Sequence, residues 1–265
     1  MEILMLDPPR EGPGRRGRGL AGRVRPGAKV AIGTFDGVHR GHRRVIRGCD
    51  TVLTFDPHPM HVLAPRGAPC LLSDRRRKLH QFDLLGVRRV AIVPFDHAWS
   101  QVPAEDFVQD IVLDGLGAEF VSVGQGFRFG AGGAGTVATF AHYAELTTRV
   151  VPLVTRGPAG EPVSSTRIRR LILDGDVESA ADLLGASLTL PAVTVDDGRL
   201  LISSRFVRPA PGLYLGRVNG HRCALRVCRD RTVAVDGAAA TTGSTVEVTF
   251  EQRAFTDAAR TPAEP

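Results

Sequence analysis

The sequence predicts an α/β fold: an open parallel sheet with helices, followed by a small C-terminal antiparallel β domain. Two observations predict it. From residue 29 to about 185, short apolar runs alternate with helical patterns, the order that builds open α/β sheets. After Leu190 the runs become short and alternating, with turn signals between them, as in a small sheet or barrel. A third feature, the segment Gly33 to His42, follows the first apolar run directly and carries most of the chemistry.

In chain order, residues 1–27 are expected to form an unstructured tail. Positions 8–27 hold six arginines, six glycines and four prolines, a composition that cannot bury a core. Such arginines can contact phosphates, but no aromatic residues interleave with them, so no nucleic-acid partner is expected. A first domain is expected over 28–186. Its strands are Lys29–Gly33, Thr51–Phe55, Arg89–Pro94, Glu119–Gly124 and Arg149–Val154. They are rich in valine and isoleucine with little polar alternation, as in a parallel sheet covered on both faces. Helices are expected at Asp74–Leu85, Ala104–Leu113, Thr136–Leu146 and Thr166–Leu173, with Asp176–Leu184 closing the domain. Residues 187–265 form the second domain, with turns at Asp197-Gly198, Asn219-Gly220 and Asp236-Gly237. Its core is small enough that it is expected to lean on the first domain.

The 265 residues suffice for one large or two modest domains, and the 43% apolar fraction can fill a core. No apolar run is long enough to span a bilayer, and the N-terminus lacks the basic-then-apolar order of a signal peptide. The four cysteines, at 49, 70, 223 and 228, show no compact metal or disulfide spacing. A cytoplasmic protein with buried thiols and no membrane partner is expected. The net charge of +6 comes from arginine clusters. One of these, Arg75–Lys78, is either a solvated helix face or the lining of an anionic pocket.

In the Gly33–His42 segment, His39 and His42 stand three apart at an expected helix start, a spacing that shares one helix face. A helix start offers free N–H groups and a positive dipole end to phosphate. Gly33, Gly37 and Gly41 let the backbone turn and approach a ligand. The pattern points to ATP chemistry. Three further motifs join it. In Thr54-Phe55-Asp56-Pro57-His58-Pro59, two prolines fix a turn and aim His58. Val123 to Gly130, with Phe127 and Arg128, is a glycine-rich loop that either wraps a phosphate or ring or is a mobile surface loop. Ser164-Ser165-Thr166-Arg167-Ile168-Arg169 puts hydroxyls and Arg169 at a helix start, an anion site beyond ordinary N-capping. Ligands of open α/β sheets bind outside the carboxyl ends of the strands. The segments after the first, second and fourth expected strands should therefore converge on one crevice. The alternative is a zinc cluster of His39, His42, His58 and His61. No cysteine or carboxylate joins them at ligand spacing, and Gly41 suits phosphate better.

Together these motifs resemble the bacterial bifunctional riboflavin kinase/FAD synthetase family, over residues 29 to about 186. The His-x-Gly-His core resembles its nucleotidyltransferase signature. Phe55–Pro59, Lys78 ahead of Leu85-Gly86-Val87, Pro103–Phe107, Phe127–Gly130 and Ser164–Arg169 follow in the family's order. The resemblance implies a Rossmann-like nucleotidyltransferase that transfers AMP from ATP to FMN, giving FAD and pyrophosphate with Mg²⁺. It implies catalytic roles for His39, His42 and Arg169, with the histidines holding the triphosphate and stabilising charge on the leaving pyrophosphate. It implies an ATP site of Gly33, Phe35, Asp36, Gly37, Gly41, Ser164, Ser165 and Thr166. Phe55, His58, Pro59, Phe127 and Arg128 would line the flavin and phosphate side. No Mg²⁺ ligands are assigned, and the expected partners are the small molecules ATP and FMN.

Three departures stand out. Gly126 occupies a position where the family usually has Asn or Asp. Eleven residues separate His42 from Thr54, which limits the first helix to about two turns and the crossover to near its minimum. The C-terminal region lacks the kinase signature Gly-Arg-x-x-Gly-Phe-Pro-Thr-Ala-Asn and keeps only Gly212-Leu213-Tyr214. No riboflavin kinase activity is expected from such a degenerate domain. Two other readings are a nucleotidyltransferase for another phosphorylated acceptor and a non-catalytic flavin- or nucleotide-binding paralogue.

Overall fold

Six parallel strands form the sheet that positions the site: β1 (Glu2–Met5), β2 (Ala28–Ile32), β3 (Thr51–Phe55), β4 (Arg89–Val93), β5 (Ala118–Gly124) and β6 (Thr147–Val151). Their order is β1-β4-β3-β2-β5-β6. This computed structural model describes residues 1–8, 25–195, 197–236 and 241–254. The chain divides into two compact units, Met1–Pro69 with Arg75–Val163, and Cys70–Asp74 with Ser164–Pro265.

In the first unit, alternate residues of each strand enter opposite cores. Val30, Ile32, Leu53, Ala91, Val93, Val121 and Val123 pack on one face with Trp99, Phe107 and Phe140. Ala31, Val52, Val90 and Ile92 pack on the other with Phe35, Val45, Ile46 and Phe82. Both faces are covered, which is why the strands read as unbroken apolar runs. The second face is covered by α1 (Arg40–Ile46) and α3 (Arg75–Leu84), with α2 (Pro59–Leu63) between them in sequence. At seven residues, α1 has the two turns that the short crossover allows.

Several expectations change. The unstructured tail over 1–27 gives way at Glu2–Met5, which pair in parallel with Arg89–Ile92. Leu4 and Leu6 are buried while Ile3 and Met5 stay exposed, the period-2 signature of an edge strand. Buried Arg89 holds Glu2 at 3.5 Å. Residues 9–24 lie outside the described ones. After α4 (His97–Ser100), the expected helix Ala104–Leu113 begins as α5 (Ala104–Asp106) and continues over Phe107–Leu113 as a π-helix. Its bonds span five residues, as from Asp114 N–H to Gln109 O at 2.9 Å. The expected helix Thr136–Leu146 shortens to α6 (Val137–Phe140), started by a Thr136/Thr139 capping box and followed by three-residue turns at Tyr143 and Leu146. The last strand, expected at Arg149–Val154, instead spans Thr147–Val151, and a small hairpin follows, β7 (Thr155–Arg156) with β8 (Glu161–Pro162).

In the second unit, α7 (Ser165–Asp174) and α8 (Val177–Leu184) precede a closed antiparallel barrel. Its strands are β9 (Leu188–Thr194), β10 (Leu200–Leu201), β11 (Gly212–Val218), β12 (His221–Val227), β13 (Thr232–Val235) and β14 (Thr245–Arg253). Asn219-Gly220 makes the expected β11–β12 turn, with φ of 47° and 85°. The expected turn at Asp236-Gly237 falls partly outside the described residues. The sequence placed α7 and α8 in a domain ending at residue 186, yet their contacts group with the barrel. Arg253 of β14 donates its backbone N–H to Glu178 Oε1 at 3.0 Å and its guanidinium to Asp174 O at 2.9 Å.

Candidate active site

The chain order β2–β3–β4 runs to one side of the sheet, and β5 then returns to the other side of β2. The reversal between β2 and β5 is the position at which open α/β sheets bind ligands. The segments following β2, β3 and β5 all leave the same sheet edge, because these strands are parallel. All three motifs therefore begin at the same end of the sheet.

The segment after β2 is bent against ordinary backbone preference. Phe35, Gly37 and Val38 have φ of 52°, 80° and 42°. For bulky Phe35 and β-branched Val38 this is a strained conformation, with a typical cost of about 1–3 kcal/mol each. Burial holds it: both side chains are in the core with Phe82 and Val45. The Val38 N–H bonds to Phe35 O at 3.1 Å. This turn delivers His39 to the N-cap of α1 rather than into the helix, and its Nδ1 accepts the His42 N–H at 3.3 Å. Shared helix face therefore gives way to direct ring contact: the His39 and His42 rings stack, with centroids 3.5 Å apart and planes at 17°. Phe35 meets His42 edge-on at 5.3 Å. Two glycines permit this closeness. A Cβ on Gly33 would lie 3.0 Å from the Phe35 ring, and one on Gly41 would lie 3.1 Å from the His39 ring. Because the helix is two turns long and one of its leading N–H groups is already capped, the histidines rather than the helix dipole are the main polar groups offered here.

After β3, His58 repeats the device. It caps α2, with Nδ1 accepting the Met60 N–H at 3.2 Å and Pro59 at the first helical position. An Nδ1 that accepts a hydrogen bond leaves the ring proton on Nε2, so His39 and His58 each carry an Nε2–H donor. Phe55 is half-buried against Phe95. His61 is turned to other work, with Nε2 2.9 Å from Pro69 O. Among the described residues, no group of three or more His, Cys, Asp or Glu is placed to hold a metal.

The glycine-rich segment after β5 is closed on itself. Phe129 and Gly135 exchange backbone bonds at 3.0 and 2.8 Å. Phe129 stacks on Phe127 and Phe140 at 5.5 and 4.8 Å. Phe127 is half-buried and Arg128 exposed.

One residue ties the first two segments together. The Lys78 ammonium lies 3.4 Å from Thr34 O, 3.4 Å from Thr54 Oγ1 and 3.2 Å from Phe55 O. Burial pulls its pKa below the usual lysine value, against the pull of Asp56 and Asp36. Arg75 of the same helix pairs with Asp56 at 3.7 Å. In sequence the Arg75–Lys78 run is open to a pocket-lining role, and Lys78 ahead of Leu85-Gly86-Val87 belongs to the family resemblance; its contacts with Thr34, Thr54 and Phe55 add it to the candidate site.

Ser164, Ser165, Thr166 and Arg169 open α7 in the second unit. Ser164 Oγ caps the Arg167 N–H at 3.2 Å, and Arg169 Nε donates to Cys70 O at 2.6 Å. Ser165 and Thr166 occupy its first turn.

Comparison with known proteins matches this chain to a family. The FAD synthetase family profile matches residues 23–167. The bifunctional riboflavin kinase/FMN adenylyltransferase of Escherichia coli K12 is 30% identical over 215 residues, covering 73% of this chain and 69% of its own. That of Listeria monocytogenes is 33% identical, covering 72% and 68%. In fold, a Streptococcus pneumoniae structure titled as a macrolide-efflux protein superposes with a TM-score of 0.77 at 23% identity, over 96% of this chain and 91% of that one. The chain belongs to the FAD synthetase family and is, by that membership, a nucleotidyltransferase.

Proposed function

We propose that this protein is an FMN adenylyltransferase without riboflavin kinase activity, acting in the cytoplasm. A phosphate oxygen of FMN attacks the α-phosphorus of ATP. A P–O bond to the FMN phosphate forms, the α–β bridging P–O bond breaks, and pyrophosphate leaves with the electron pair. No covalent enzyme group is required, so catalysis rests on positioning and charge stabilisation. The observation that carries this reading is the stacked His39/His42 pair at the reversal of strand order. Its imidazoles donate to the triphosphate as charge moves onto pyrophosphate. Gly33, Phe35, Asp36, Gly37 and Gly41 shape the nucleotide side, and Ser164, Ser165, Thr166 and Arg169 add phosphate contacts. Phe55, His58, Pro59, Phe127 and Arg128 line the flavin and phosphate side.

The donor set fits Mg²⁺ brought in by ATP. That ion is usually held by one or two carboxylates plus substrate phosphates and water, not by an all-protein cage. Among the described residues, no clustered ligand set competes with this arrangement, and Asp36 is the carboxylate in the β2 segment. Bound there, Mg²⁺ would neutralise phosphate charge.

Loss of kinase activity is supported by the missing Gly-Arg-x-x-Gly-Phe-Pro-Thr-Ala-Asn signature ahead of Gly212-Leu213-Tyr214. A cytoplasmic setting is supported by four free cysteines, and no helix among the described residues is long and apolar enough to cross a membrane.

The test is a two-substrate assay with chromatography. FMN with ATP and Mg²⁺ should yield FAD; riboflavin with the same should yield neither FMN nor FAD. Folded protein that makes no FAD from FMN overturns the reading, and FMN made from riboflavin overturns its kinase half. A different phosphorylated acceptor is favoured by one observation, the open space around Gly126. Pyrophosphate release with other phosphorylated acceptors and none with FMN would establish it.

A further inference from the structure

The helix that carries His42 is too short to hold its own end. A seven-residue helix is marginal in isolation, and its last carbonyls have no partner within it. Arg47 follows it with φ −53° and ψ 122°, and Gly48, at φ 79°, turns the chain so that the Cys49 N–H meets Ile46 O at 2.9 Å, a closure that leaves Val45 O and Arg47 O to other partners. The sheet supplies what the helix lacks. Arg149 of β6 donates through Nη2 to Val45 O at 2.9 Å and to Arg47 O at 2.6 Å. Its Nε and Nη2 also reach Ser122 Oγ of β5 at 3.1 and 3.0 Å, and Ser122 itself donates to Val45 O at 2.7 Å. Ser122 and Arg149 are register partners across β5 and β6. The guanidinium lies over the Phe120 ring at 5.3 Å. A cation at a helix C-terminus also complements the carbonyl dipoles.

We propose that Arg149 is a positioning residue for His42: it anchors the C-terminal end of α1 to the sheet and thereby fixes the first turn, where the His39/His42 stack is formed. The role follows from the short β2–β3 crossover, which leaves no chain for a longer helix. In its catalytic consequence the inference rests on the adenylyl-transfer reading above. Its structural half does not.

The test compares Arg149→Met, which keeps the stem over Phe120 and removes the donors, with Arg149→Lys, which keeps a charge and part of the bonding. Val112→Ala, in the opposite core, serves as a control for general loss of stability. In ligand-free protein, amide exchange of Arg43–Arg47 and the His42 ring resonances are followed. In turnover, kcat and the KM for FMN are measured at a temperature where every variant is folded. Arg149→Met should speed α1 exchange, shift the His42 signals and lower kcat about tenfold or more with little change in the FMN KM, since misplacement by about 1 Å can cost a hundredfold. Arg149→Lys should recover part of each. Unchanged exchange and His42 signals in Arg149→Met overturn the proposal. So does a kcat loss no larger than that of Val112→Ala at matched loss of Tm. Should the wild-type protein make no FAD, the functional reading falls, and exchange with the His42 signals alone decides the role of Arg149.

Discussion

The Lys78 ammonium sits 3.2 Å from the carbonyl oxygen of Phe55, and with its bonds to Thr34 and Thr54 it joins the segment after β2 to the end of β3. The arrangement costs stability, because burial lowers the Lys78 pKa. A base whose folded pKa lies below its unfolded value binds fewer protons in the native state across that interval. The penalty is full at lower pH and lifts as pH rises from the lowered value to 10.5. A cation kept at such a cost beside the proposed nucleotide site fits the usual exchange of stability for function. Lys78→Met should therefore match or exceed wild-type stability at pH 7 while AMP transfer falls about tenfold or more. Urea denaturation beside a FAD-forming assay checks this, and full activity in the variant removes Lys78 from the site.

The histidines should separate in the same two measurements. His42 is half-buried and contributes ring contacts to His39 and Phe35, so His42→Ala should stay folded and lose about 10²–10³ in turnover, as when one transition-state donor is removed. His39 is buried and also caps α1. His39→Ala should lose activity and a further ~1 kcal/mol, whereas His39→Asn, which keeps an N-cap acceptor, should lose mainly activity. A His39→Asn variant as unstable as His39→Ala would contradict the capping role.

The strands of the sheet were legible because both faces are buried, so Val30–Ile32, Val52–Leu53 and Val90–Val93 carry no polar alternation. The motif positions were legible because they follow those strands directly. Ring geometry was not. It depends on Phe35 and Val38 adopting positive φ, which local preference opposes and only the surrounding core enforces. Lys78 was legible as a motif position, but its bonds reach residues 23 to 44 positions away, and the Arg149 anchor joins groups about a hundred positions apart. Glu2–Met5 was masked by the arginine- and glycine-rich stretch behind it. The π-helix at Phe107–Leu113 has the apolar content of an α-helix, and its wider turn is set by packing.

Two glycines of one loop should respond in opposite ways. A Cβ on Gly126 meets nothing within 4 Å, and its φ is not in the left-handed range. Gly126→Asn should leave Tm unchanged, and a lower KM for FMN would identify this position as facing the acceptor. Gly130 has φ +72°, and a Cβ there would lie 2.7 Å from the Ala104 backbone. Gly130→Ala should lose at least about 1–2 kcal/mol from the backbone term alone, visible as a lower Tm. Equal tolerance at both positions would show that the loop is not closed as described.

Alkaline titration gives a final prediction, because Cys49 opposes Lys78. Burial raises the Cys49 thiol to about 11 from 9.0, against the smaller pull of Arg149. An acid whose folded pKa is raised holds its proton in the native state after the unfolded chain has lost it. Stability therefore falls as pH rises from 9 to about 11. A thiol reagent at pH 8 should label exposed Cys70 well before buried Cys49. In denaturation curves across the same range, Cys49→Ala removes a falling contribution and Lys78→Met a rising one. Relative to wild type, the first variant should gain stability with pH and the second should lose it. Parallel curves for the two would mean that neither group is held in the environment described.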